Sequence, residues 1–117
     1  MMRFLKDKEL VETVYNDGTL ELKAKVPLED EYGTPIPGKY TYESKMKSWW
    51  RTLGITSQEV IDAKSINREL TKKIGVTGNQ EIDSRWRAFI GDKEFEIFRS
   101  FYNYKNDEME ISLLEVD

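Results

Sequence analysis

Ser84-Arg85-Trp86-Arg87-Ala88-Phe89-Ile90-Gly91-Asp92-Lys93-Glu94-Phe95-Glu96-Ile97-Phe98-Arg99-Ser100-Phe101-Tyr102 is the stretch whose reading decides the fold. It reads as two strands, Ser84 to Ile90 and Lys93 to Tyr102, joined by Gly91-Asp92. Two residues of that kind make a hairpin connection, because glycine reaches positive φ without strain. Neighbouring side chains on a strand point to opposite faces. Trp86, Ala88 and Ile90 therefore share one face of the first strand, and Phe95, Ile97 and Phe101 share one face of the second. Arg85, Arg87, Glu94 and Glu96 fall on the wet side.

The same pattern continues outward. Downstream, Tyr104-Lys105-Asn106-Asp107 turns the chain, and Met109, Ile111 and Leu113 alternate on a last strand. Upstream, Leu70 to Val76 reads as a strand ended by Gly78-Asn79. Before it, Thr56-Ser57-Gln58-Glu59 matches the capping box, in which Thr and Glu each satisfy a free amide of the other. The helix it opens should run to about Ile66 or Asn67, with Val60, Ile61 and Ala63 towards the sheet and Asp62 and Lys64 towards water. Lys45 to Ile55 is a further strand, carrying Trp49 and Trp50. Near the beginning, Glu9 to Tyr15 is a first strand, Asn16-Asp17-Gly18 a tight turn, and Leu20, Leu22, Ala24 and Val26 alternate on a second.

Between Pro27 and Tyr42 the alternation dissolves. Glu29-Asp30-Glu31 is a charge run, and Gly33-Thr34-Pro35-Ile36-Pro37-Gly38 reads as unable to sustain a ladder or a helix. Residues 28–42 are expected to form a long flexible loop, and loops of this length are functional or disordered. The whole of 1–117 then makes one mainly β domain: a small β-barrel of six or seven strands, one short α-helix and one long loop.

Composition narrows the function. The 117 residues include no cysteine and no histidine. Thiol nucleophiles, disulfides, the common zinc sites and histidine acid–base chemistry are thereby removed. No segment is apolar enough to span a bilayer and the N-terminus has no leader-like run, so a cytoplasmic protein is expected. The net charge of −4 opposes a protein built to grip nucleic acid. A basic stretch from Lys45 to Lys73 and an acidic one from Lys105 to Asp117 fit side-by-side association of identical subunits as well as ordinary solvated faces.

No enzyme is legible. Glu94 and Glu96 alternate with apolar residues, which marks a wet strand face rather than a catalytic pair. Glu29-Asp30-Glu31 lacks calcium-loop spacing, and there is no phosphate loop or nucleophile elbow. No cofactor or metal is expected. Arg85-Trp86-Arg87 and Trp49-Trp50-Arg51 interleave charge and aromaticity as a nucleic-acid stacking groove does, but alternation puts Trp86 in the core. Trp49 and Trp50 cannot both enter one core. One is either covered by the helix or exposed as an interface anchor. Phe98 and Tyr102, opposite Phe95, Ile97 and Phe101, raise the same choice, so Trp49, Trp50, Phe98 and Tyr102 are the candidate subunit or partner interface.

Two stretches carry a resemblance. The run from Trp49 through Arg51, Thr52, Leu53, Gly54, Ile55 and Thr56-Ser57-Gln58-Glu59-Val60-Ile61-Asp62-Ala63, and the run from Ile82 to Ile97, are similar in order to the head-tail connector (head-closure) proteins of tailed bacteriophages. Lys6-Asp7-Lys8-Glu9-Leu10 adds to it; Val60-Ile61 departs from it, standing where an aromatic is common. The resemblance implies a non-enzymatic virion protein, made in the host cytoplasm and placed at the head–tail interface. Copies would form a ring below the portal-bound adaptor, retain packaged double-stranded DNA without reading its sequence, and dock the tail. By the same analogy Glu29, Asp30, Glu31, Tyr32, Gly33, Pro35, Ile36 and Pro37 would face the channel, where acidic side chains avoid phosphates. The alternatives are a tail-terminator or tail-completion protein, and an OB-like nucleic-acid-binding module.

Overall fold

The computed structural model describes residues 14–116. They form β1 (Gly18–Glu29), β2 (Pro35–Leu53), α1 (Ser57–Lys64), β3 (Lys72–Thr77), β4 (Arg87–Ile90), β5 (Lys93–Asn103) and β6 (Glu108–Glu115). The strands close into a barrel in the order β1-β2-β3-β6-β5-β4, with every neighbouring pair antiparallel. Among the described residues the fold is therefore the expected mainly β barrel with one short helix. Of the expected first strand, residues 9–13 lie outside the described residues, and Val14 and Tyr15 lead into β1 without joining a ladder.

Strict alternation fills the barrel. Leu20 and Leu22 from β1, Trp50 from β2, Ile74 and Val76 from β3, Ala88 from β4, Phe95 and Ile97 from β5, and Met109, Ile111 and Leu113 from β6 make one buried cluster. Each larger member contributes about 2 kcal/mol by leaving water. Trp86 and Ile90 pack against it as the hairpin pattern predicts.

One expected face is reversed. The β5–β6 register shifts between Ile97 and Arg99, leaving Phe98 as an extra residue. Such a bulge moves every later side chain to the other face. Phe101, expected inside, is 59% exposed, and Tyr102 packs on the core instead.

The helix also turns differently from expectation. Its capping box forms: the Glu59 amide donates to Thr56 Oγ1 (3.2 Å), and the Thr56 amide donates to Glu59 Oε1 (3.1 Å). Glu59 and Ala63, one turn apart, are the buried residues, while Val60 and Ile61 face solvent. The reason is polar. Ser112 of β6 donates to Glu59 Oε2 (2.7 Å), and Lys73 of β3 reaches Oε1 (3.0 Å) and Glu110 (3.2 Å). Glu59, the carboxylate of the capping box, is thus the helix's anchor to the outside of the barrel. Asn67 ends the turn that follows, with φ 60.

A second outer lock uses a missing side chain. Glu108, fully buried, takes a forked pair of bonds from Arg51 of β2 (2.5 and 2.8 Å). Its carboxylate lies across Gly75 of β3, where any Cβ would collide with it. Tyr15 closes over the pair, its hydroxyl kept protonated by burial and by the Glu108 charge. The basic middle and acidic end of the sequence thus meet within one chain, through Arg51–Glu108 and Lys73–Glu110.

Gly75→Ala should lower stability by about 2 kcal/mol, the usual range for overpacking, as measured by denaturant unfolding. Glu59 sets an acid limit. Burial would raise its pKa, but bonds from Ser112, Thr56 and Lys73 outweigh that and hold it at about 2, against an ordinary 4.5. Its contribution is present above pH 4.5 and is lost as pH falls towards 2. Stability measured across that window should fall less steeply for Glu59→Gln than for the unaltered protein.

Candidate functional site

The most distinctive feature is an arm. β4 pairs with β1 only from Glu21 to Lys23, and β3 pairs with β2 only from Arg51 to Leu53. Beyond Lys23, β1 is bonded to β2 alone, out to Glu29↔Pro35. The hairpin therefore leaves the barrel as a two-stranded ribbon, and the molecule measures 67 Å along its long axis against 34 and 23 Å across.

This corrects the expected long loop. Residues 28–42 are strand except for the turn around Asp30–Thr34. Pro27, Pro35 and Pro37 misled because proline removes a ladder donor. Both arm strands, however, are edge strands, where the lost N–H faces solvent. Gly38, at φ 75, lies where β2 carries more residues than β1 between two paired positions.

A lone two-stranded ribbon is marginal in water, and this one is braced. Tyr40 meets Tyr42 edge-on at 5.7 Å, and Tyr42 meets Phe89 of β4 at 5.2 Å. Lys25 sits over Tyr40 at 3.9 Å and Lys23 over Phe89 at 4.7 Å. The Tyr42 hydroxyl donates to Glu94 (3.2 Å), which is also bound by Arg87 (2.9 Å). Burial and then the Glu94 charge raise the Tyr42 pKa, so it stays a donor. Arg87 also reaches Glu96 (3.5 Å), and Glu96 pairs with Arg68 beyond α1 (2.7 Å). Glu94 and Glu96 hence hold the arm's root and the helix's exit, on the wet face where alternation puts them.

At the tip, the Asp30 carboxylate accepts from the amides of Tyr32 (2.8 Å) and Thr34 (3.0 Å). Gly33 supplies φ 80. The turn is closed on itself, with Tyr32 standing out at 84% exposure.

The four candidate interface residues separate. Trp50 is 6% exposed inside the barrel, Tyr102 packs on the core, and Phe98 is half-buried under the Arg99 guanidinium. Trp49 is 57% exposed and α1 does not cover it, because α1 lies across β3, β5 and β6, on the far side of the barrel from β1. Trp49 and Phe89 instead line a shallow groove of about 600 Å³ over β1, with Lys23, Lys47 and Glu21. Sequence reasoning missed Phe89, Tyr40 and Tyr42. The spacing of Lys23, Lys25, Tyr40 and Tyr42 in twos was the available signal.

Solved structures share this fold. Protein SF1141 of Shigella flexneri 2a superposes with a TM-score of 0.64 at 15% identity, over 86% of this chain and 93% of that one. A chain of the native gene transfer agent virion superposes with a TM-score of 0.55 at 13% identity, over 89% of this chain and 98% of that one. At such identities the likeness is one of fold. No protein-family model matches the sequence, and no curated protein matches it.

Tyr42→Ala should loosen the arm without opening the barrel. Losing an aromatic pair removes on the order of 1 kcal/mol. Amide exchange in 24–29 and 35–43 should then speed up about fivefold, with the amides of β3 and β6 unchanged.

Proposed function

We propose that this protein is a non-enzymatic structural subunit of a phage-type virion, acting at the junction of head and tail. The observation that carries the reading is the arm-bearing barrel, whose fold matches nearly the whole length of a gene transfer agent virion chain. The order of residues from Trp49 to Ala63 and from Ile82 to Ile97 supports the same class.

In this reading copies stand in a ring below the portal-bound adaptor, with the tail proteins docking beneath. The arms, residues Glu29 to Pro37 foremost, reach the rim of the channel and help to retain DNA. The surface has features such a subunit needs. Val60, Ile61, Ile66 and Phe101 are exposed on the α1 side, and Trp49 on the β1 side. Apolar anchors on different faces of one small barrel suit a subunit with several neighbours.

The test is electron microscopy of particles made with an early stop codon in this gene. Filled or leaking heads beside free, finished tails are the expected result. Heads carrying tails as usual would overturn the proposal in favour of an OB-like nucleic-acid module, for which Trp49 beside Lys23 and Lys47 is the supporting feature.

A further inference from the structure

We propose that the arm tip of one copy docks in the Trp49–Phe89 groove of a second copy. Tyr32 would stack on Trp49, with Glu29 and Glu31 facing Lys23 and Lys47. The inference deepens the virion-ring reading and rests on it for the closing of copies into a ring.

The two surfaces complement each other in chemistry. The tip offers one outstanding aromatic ring between acids. Asp30 is occupied by the turn itself, which leaves Glu29 and Glu31 as the charges on show. The groove offers two aromatic faces and two lysines. Its single acid, Glu21, is already paired with Lys23 at 3.8 Å. Stacking on an exposed Trp, with opposite charges at the rim, is the usual make-up of an interface anchor.

Geometry rules out the same molecule as host. Thr19, at the groove, and Glu29, at the tip, lie on one continuous strand. At about 3.3 Å per residue, roughly 33 Å separates them. The molecule is 67 Å long and 34 by 23 Å across. A second copy beside the first, displaced along the arm by about that strand length, brings its groove to the tip. Tip and groove are different surfaces, so the contact is head-to-tail, and it closes into a ring when the rotation between copies allows. The arms then cross the channel rim as tangents, each resting on the next copy.

The chain has no cysteine, which makes engineered thiols specific. Full-length Thr34→Cys and Thr19→Cys proteins, carrying tags of different size and keeping Tyr32, would be mixed at high concentration and oxidised. The expected product is the mixed disulfide, in at least tenfold excess over the control pair Thr34→Cys with Ser65→Cys. A chain bearing both Thr34→Cys and Thr19→Cys should give a ladder of covalent oligomers. Lys47→Glu should suppress the product, and adding Glu31→Lys should restore it. Cross-linking no better than the control, or a ladder that stops at the dimer, would overturn the head-to-tail contact. So would quenching of Trp49 by single-stranded DNA that Lys47→Glu abolishes while the cross-link stays at control level. The virion reading is judged separately, by the particles of the stop-codon mutant.

Discussion

The structure depends on a mismatch of strand lengths. β4 has four residues and β3 six, whereas β1 has twelve and β2 nineteen. Closure of the barrel rests on three residue pairs between β1 and β4, from Glu21↔Phe89 to Lys23↔Arg87. Among the described residues, β1 past Lys23 has no neighbour but β2. The arm is therefore the part of two long strands for which the ring has no partner, rather than an insertion attached to a finished barrel. Shortening β1 and β2 to the length of their neighbours would leave an ordinary small barrel.

Because the core is filled by alternation alone, what distinguishes this chain is written on the outside of the barrel. Two buried carboxylates do different work there. Glu59 ties a two-turn helix, too short to be stable alone, to β3 and β6 at once. Glu108 draws Arg51 across β3 and needs Gly75 beneath it. Removing one partner from such a pair costs far more than the pair gains over an apolar substitute. Losing one member of either contact would leave an uncompensated buried charge. Their polar character leaves apolar residues such as Val60 and Ile61 outside, exposed to solvent.

Most of the barrel was legible in the sequence because period-two alternation is a local signal. Leu20 and Leu22, Ala88 and Ile90, and Met109, Ile111 and Leu113 all lie where it puts them. The failures have separate physical causes. The bulge at Phe98 is marked only by Arg99, which unbroken alternation would put on the core face with Phe95, Ile97 and Phe101; the shift frees Arg99 to pair with Asp62 and exchanges Phe101 for Tyr102. The helix was turned by a charge, Glu59, where hydrophobicity pointed to Val60 and Ile61. The arm was hidden by its prolines, whose exclusion from sheets holds for central strands only. Of the candidate site, the acidic tip and Trp49 were visible. The Tyr40–Tyr42–Phe89 brace was not, because it joins segments nearly fifty residues apart.

Whether residues 28–42 form a loop or an arm changes the energetics of assembly. A flexible loop of that length would have to be ordered on docking, at a cost of about 1 kcal/mol or more for each residue fixed. A small tip contact could not offset that. The hairpin meets this cost during folding, through its ladder and its aromatic brace. What docking must still supply is the alignment of two bodies and a few side chains. In the proposed contact, a tip with one exposed ring and two acids has little besides its own side chains to order, because the strands behind it are already paired. The brace at Tyr42, fixed through Glu94 to Arg87, ties those strands to the barrel. On that proposal, contacts far from the tip help to decide where a neighbouring copy would have to stand.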